Sequence, residues 1–329
     1  MSRPSPQELA SGVKAGERAM LARAITLVES ELAAHRADAE ALLEAVLPAT
    51  GGAVRLGVSG VPGVGKSTFI DAFGVQLTGE GHRVAVLAID PSSVLSGGSI
   101  LGDKTRMAKL SRDERAFIRP SPTSGNLGGV ARKTRESALL CEAAGHDVIL
   151  VETVGVGQSE VMVREMVDHF LVLMLAGAGD ELQGIKRGIL EVADMLAVNK
   201  ADGPGLKASE RRAAELRSAL KLMRGKHAPE VHLISAKEGS GLGELWDALQ
   251  GLTEREKASG VFHRRREDQA ARWMRQLVEE SLLRELRANP AVAEAWSSEE
   301  TAVRAGERTA AAAAARLLSA FRGDGQTEA

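Results

Sequence analysis

The stretch "GVPGVGKST", residues 60–68, restricts this chain more than any other. Three glycines in nine positions cannot build a core, and the lysine sits among small residues. The run fits G-x-x-x-x-G-K-[ST], opened by Gly60 and closed by Gly65, Lys66 and Ser67. A strand-like run, "RLGVS", precedes it and a helix-like run, "KSTFIDAFGVQL", follows, which is the context this spacing requires. Glycines let successive amides converge on phosphate oxygens without Cβ collisions. A helix starting there adds its N-terminal partial positive charge. Gly60, Val61, Pro62, Gly63, Val64, Gly65, Lys66, Ser67 and Thr68 are therefore expected to cradle a polyphosphate. Lys66 is placed to reach the β- and γ-phosphates, and the Ser67 hydroxyl to join a Mg²⁺ shell.

Around this loop the chain alternates short apolar runs with helical stretches. The runs are "AVRLGVS", "RVAVLAID", "AFIRP", "DVILVET", "HFLVLMLAG", "DMLAVNK" and "EVHLIS". Most are continuously apolar, as strands covered on both faces should be. The expected class is α/β, a P-loop NTPase with a mostly parallel sheet flanked by helices, over residues 51–253. Residues 1–50 read as a helical extension whose stripe comprises Leu9, Val13, Met20, Leu21, Ala24, Leu27, Val28 and Leu32, with a second helix ending at Pro48. Residues 254–329 read as a helical arm. Trp273, Met274, Leu277, Val278, Leu282 and Leu286 share one face of it, Pro290 ends that helix, and Leu317, Leu318 and Phe321 form a late apolar tip. Pattern alone leaves two fates open for the arm, packing on its own sheet domain or pairing with a second copy. "HRRRE", residues 263–267, reads as a solvated linker.

The formal net charge of −2 argues against a broad nucleic-acid surface. One cysteine, Cys141, permits no internal disulfide; it reads as a small core residue in a reducing compartment. No stretch reaches the ~18 apolar residues of a membrane span, and the N-terminus lacks a secretory signal, so the expected location is cytoplasmic.

Two further motifs select the base. "NKAD", Asn199 to Asp202, follows one strand-like run, and "SAK", Ser235, Ala236 and Lys237, follows another. Both fall at carboxyl ends of strands, where open α/β sheets bind ligands. The Asp202 carboxylate suits the ring N1–H and exocyclic amine of guanine; adenine would leave it facing a lone pair, an unpaired and costly arrangement. Lys200 can lay its stem over the base, Asn199 can tie the loops together, and the Ala236 N–H can donate to the guanine oxygen. The expected ligands are GTP and GDP.

In "VETVGVGQSE" Glu152 stands where many GTPases carry aspartate. It is expected to hold a Mg²⁺-bound water, and the Gly155 N–H to contact the γ-phosphate. Gln158, three residues beyond Gly155, leaves the water-positioning group open, so slow unaided hydrolysis is expected. Asp90 is a candidate outer-shell Mg²⁺ ligand. The catalytic set is thus Lys66, Glu152 and Gly155, and the metal set Ser67, Asp90 and Glu152. Asp103, Lys104 and Arg106, and the loop at 177–188 with Lys186 and Arg187, are candidate switch elements.

"GVPGVGKST", "AIDPSS", "VETVGVGQSE", "AGAGDELQGIKRGI" and "VNKAD" together resemble the MeaB/ArgK family of P-loop GTPases, over roughly residues 10–325. The resemblance implies a GTPase chaperone of adenosylcobalamin-dependent methylmalonyl-CoA mutase that gates cofactor loading and protects the mutase from inactivation. It also implies a homodimer through the C-terminal helices and a further switch at 177–188. The alternatives are a metal-insertion GTPase of the nickel-delivery type and a nucleotide-gated binding protein with little hydrolysis. The first usually carries His- or Cys-rich sites, whereas the seven histidines here are scattered. An old label for relatives, a kinase tied to amino-acid transport, does not account for the guanine-reading motifs.

Overall fold

The computed structural model of the chain describes residues 3–89, 107–120, 127–153, 159–176 and 187–323. It divides into two compact units, Met1–Phe262 and His263–Ala329.

The first unit opens with three helices, α1 (Pro6–Lys14), α2 (Arg18–Val28) and α3 (Arg36–Val46). Ser5 starts α1 through a capping box: its hydroxyl accepts from the Glu8 N–H at 3.2 Å, and the Glu8 carboxylate accepts from the Ser5 N–H at 2.7 Å. Leu9, Val13, Leu21, Ala24, Leu27 and Val28 are buried as the spacing predicts. Leu32 is not; α2 ends at Val28, and Leu32 lies beyond the helix, 63% exposed.

There follow β1 (Val54–Gly60), α4 (Lys66–Gly79), β2 (Val84–Ile89), β3 (Ala116–Pro120), α5 (Leu127–Ala143), β4 (Val148–Thr153), α6 (Ser159–Arg164) and β5 (His169–Leu175). Then come α7 (Arg187–Val192), β6 (Met195–Asn199), α8 (Leu206–Arg224), β7 (Glu230–Leu233) and α9 (Leu242–Ala258). All seven strands form one parallel sheet in the order β3-β2-β4-β1-β5-β6-β7. Alternate residues feed two cores. Ile149, Val151, Phe170 and Val172 pack with the buried stripes of α1–α3 and α5. Leu56, Val58, Leu150 and Leu171 pack with Phe69, Phe73 and Leu77 of α4 and with Leu245, Trp246 and Leu249 of α9. Burial on both faces is why most of these strands read as largely apolar runs; edge strand β7, with Glu230 exposed, does not. Cys141 is fully buried on α5, where desolvation raises its thiol pKa and keeps it protonated.

Central β1 lies between β4 and β5, with β2–β4 placed to one side and β5–β7 to the other. The connections leaving β1 and β4 therefore diverge, and a crevice opens at their carboxyl ends. The loop carrying residues 61–65 emerges there.

At the boundary and in the second unit the chain is helical: α10 (Val261–Ala288), α11 (Pro290–Arg304) and α12 (Ala310–Arg322). Residues 263–267 belong to α10 and are not a linker, because arginine and glutamate favour helix once one continues on either side. Asn289 caps α11, its Oδ1 accepting from the N–H groups of Ala291 (3.0 Å) and Val292 (3.3 Å), so Pro290 opens a new helix directly after α10 stops. Met274, Val278 and Leu282 stand at least half exposed along one face of α10, beside a groove of about 480 Å³.

Candidate functional site

The loop between β1 and α4 is shaped by two glycines. Gly65 takes φ +94° at the N-cap of α4, and a Cβ there would lie 3.0 Å from Asn199 Nδ2. Gly60 takes φ +155°, and a Cβ would lie 2.6 Å from the Leu173 carbonyl on β5. Neither position tolerates a side chain, so the loop is held tight against its neighbours. Val64 is buried beneath the loop and anchors it to the α4 core. Pro62, Gly63 and Thr68 are exposed, and Val61, Gly65, Lys66 and Ser67 are half-buried. The first turn of α4 directs its backbone amides into this space, an arrangement that can bind an anion.

Lys66 Nζ donates to the Gly60 carbonyl at 2.6 Å and reaches the Val61 carbonyl at 3.5 Å. Its ammonium is therefore folded back over the loop. Burial lowers its pKa, while the charges of Glu152 and Glu160 oppose that shift. Ser67 Oγ donates to Glu152 Oε1 at 3.1 Å, which brings the end of β4 to the start of α4. Glu152 is 9% exposed. These two hard oxygen donors beside a phosphate-binding loop suit Mg²⁺, which takes few protein ligands and completes its shell with phosphate and water. Among the described residues, no three His, Cys, Asp or Glu side chains cluster as a metal site.

The second set of residues stands on the other side of the loop. Asn199 ends β6 at 2% exposure. Its Nδ2 donates to the Val64 carbonyl at 2.8 Å, and its Oδ1 accepts from the Ala236 N–H at 3.0 Å. One side chain thus ties the phosphate loop to the loop after β7. This differs from the sequence expectation for Ala236: its N–H serves Asn199 rather than facing outward toward a base oxygen. Lys200, at φ +61°, carries its Nζ across to the Gly63 carbonyl at 2.9 Å, so its stem spans the gap between the loops. The fully buried Ser235 donates its hydroxyl proton to Asp202 Oδ2 and accepts from the Glu238 N–H at 3.2 Å. Asp202 is thereby oriented by a neighbour within the same constellation. Lys237 is exposed at the rim.

Lys66, Ser67, Glu152, Asn199, Lys200, Asp202 and Ser235 are thus joined through one network of loops at the carboxyl edge of the sheet. Asp90, Asp103, Lys104, Arg106, Gly155, Gln158 and Lys186 lie outside the described residues, as does the side chain of Arg187. Sequence reading passed over two features. Glu160, buried at 6% on α6, acts electrostatically on Lys66. Thr153 bonds Ser59 through their hydroxyls across β4 and β1. The trace of the second in the sequence is a hydroxyl residue close to the carboxyl end of each of two largely apolar strands.

Comparison with known proteins follows the same lines. The model of the family described as "Methylmalonyl Co-A mutase-associated GTPase MeaB" matches residues 21–291. The "Probable GTPase Mb1533" of Mycobacterium bovis is 55% identical over 94% of this chain and 93% of its own length. The mouse protein named "Methylmalonic aciduria type A homolog, mitochondrial" is 48% identical over 95% of this chain and 79% of its own length. Among solved structures, that of a protein called LAO/AO transport system kinase superposes with a TM-score of 0.76 at 38% identity, covering 98% of this chain and 99% of that one.

Proposed function

The chain belongs to the MeaB family of GTPases, and on that premise we propose that it spends GTP hydrolysis on chaperoning an adenosylcobalamin-dependent methylmalonyl-CoA mutase. In this reading it gates cofactor loading and protects the mutase from inactivation. The observation that carries the proposal is the family match across residues 21–291, supported by the Lys66–Ser67–Glu152 and Asn199–Asp202–Ser235 geometry.

The α4 amides and Lys66 grip the β- and γ-phosphates, and Lys66 leaves the Gly60 carbonyl to do so. Asp202, held by Ser235, accepts from the two N–H groups of guanine. Lys200 covers the base, and Asn199 keeps both loops in register. Ser67 and Glu152 would hold Mg²⁺, which when bound neutralises charge developing on the phosphate oxygens. Gly155 is assigned the γ-phosphate contact and Asp90 the outer metal shell. Hydrolysis by the chain alone is slow, and stimulation by the partner of ~10³–10⁵ is the range available to an added positive charge at the γ-phosphate. The functional form is a homodimer paired through the exposed apolar face of α10.

The test is capture of the mutase on the immobilised full chain loaded with a non-hydrolysable GTP analogue or with GDP. Recovery that differs between the two nucleotides supports the proposal. Equal recovery with both, or none with either, contradicts it.

A further inference from the structure

We infer that Ser59 and Thr153 form a positioning pair that sets the phosphate loop against the Glu152 carboxylate. Thr153 Oγ1 donates to Ser59 Oγ at 2.9 Å, and both residues are fully buried. The parallel register places Val58 opposite Glu152, so the two hydroxyl residues occupy the next step of the ladder. Their outer neighbours in the sheet, Val172 on β5 and Ile89 on β2, are apolar and buried. A hydroxyl in such a place costs desolvation that an isosteric valine would avoid. The pair therefore contributes something other than burial.

What it contributes follows from where the chain goes next on each side. Ser59 immediately precedes Gly60, whose carbonyl holds Lys66 Nζ. Thr153 immediately follows Glu152, whose carboxylate holds Ser67 Oγ. Successive strand residues point to opposite faces of a sheet. Glu152 faces α4, so Thr153 is anchored on the opposite face, and fixing it fixes the direction in which Glu152 leaves the strand. One buried hydroxyl bond thus links the residue before the loop to the residue after the carboxylate, across 94 residues of sequence. Catalysis that depends on positioning is sensitive to shifts well under the size of an atom. The pair acts through Glu152 and the loop and touches no reacting atom.

This inference rests on the reading of Glu152 as the residue that faces the metal. The experiment is steady-state GTP turnover by the full chain as a function of GTP and Mg²⁺ concentration. Thr153→Val keeps the side-chain shape and removes the donor. It is expected to lower kcat about tenfold, as loss of one well-placed hydrogen bond does. KM for GTP should stay within about twofold while the Mg²⁺ concentration for half-maximal rate rises. Thr153→Ser restores the donor and should recover kcat to within about twofold. Ser59→Ala should resemble Thr153→Val, and the double variant should be no slower than either, because both remove the same bond. Unchanged kcat and Mg²⁺ dependence in Thr153→Val overturns the inference. So does equal loss in Thr153→Val and Thr153→Ser that follows a lowered unfolding midpoint. Glu152→Gln keeps the two readings apart: wild-type turnover and Mg²⁺ dependence in that variant would remove the Glu152 role itself.

Discussion

Asp202 has one oxygen committed to Ser235, so its approach to a base is set before any base arrives. Replacing it with asparagine turns an acceptor into a donor facing the guanine N–H groups. Asp202→Asn should lose GTP affinity by about 10²-fold or more and gain affinity for XTP, whose ring carries a carbonyl where guanine has an amine. Titration calorimetry with both nucleotides checks this, and retained GTP preference would remove Asp202 from the base site. His146 supports a second prediction. It is buried, with Nδ1 3.0 Å from the Cys141 carbonyl, and burial pushes its pKa down to about 4. The native state holds it neutral, so its stabilising effect is complete above ~6.5, the unfolded value, and is lost as pH falls toward 4. The loss is on the order of 3 kcal/mol at most. Urea unfolding of His146→Phe should show a shallower decline between pH 6.5 and 4 than the parent chain. At this scale the sequence disclosed residue types that a phosphate and a purine demand, since Lys66, Asp202 and Asn199 have few chemical substitutes. It did not disclose that the Ala236 amide serves Asn199, nor that Ser59 meets Thr153. Both depend on strand register, which no local pattern encodes.

Among the elements, the turn into α4 has the least freedom. Gly65→Ala must place a β-carbon at φ +94°, a left-handed conformation that costs about 1–2 kcal/mol, and 3.0 Å from Asn199 Nδ2. The expected outcome is at least about tenfold weaker GTP binding with a urea midpoint lowered by no more than that strain accounts for, because the core beneath the loop is untouched. Nucleotide affinity equal to wild type would show that the loop geometry is not what binds phosphate. The helical extension at the N-terminus makes a contrasting case. Leu42 of α3 is fully buried in the same core as the sheet, so Leu42→Ala should cost about 2–5 kcal/mol of stability. Most strands were legible as apolar runs because β2, β4, β5 and β6 are buried on both faces, whereas edge strand β7 carries an exposed Glu230 and only one buried residue. Helix limits were less so: Leu32 continues the apolar spacing past the end of α2, and the charged run 263–267 resembles a linker although it continues α10. Periodicity reports which residues suit a helix, whereas its limits are set by caps, such as Asn289 at the start of α11, and by the next contact available.

At the scale of the whole molecule, the α/β sheet with the phosphate loop at its centre was readable from the order of motifs. The proposal of a mutase partner rests on resemblance alone, because no spacing of residues encodes which protein a surface meets. The exposed face of α10 carries the homodimer proposal: Met274→Glu combined with Leu282→Glu should give a monomer by sedimentation velocity where the parent chain gives a dimer. A parent chain that sediments as a monomer contradicts that part of the account. The central claim is that one loop network grips a triphosphate and reads guanine. Its most direct test is phosphate release by the purified chain with Mg²⁺, supplied with GTP or ATP, beside a Lys66→Ala variant of unchanged unfolding midpoint. The account predicts release from GTP, little from ATP, and none from either by Lys66→Ala. Equal turnover of ATP and GTP, or full activity without Lys66, would contradict it.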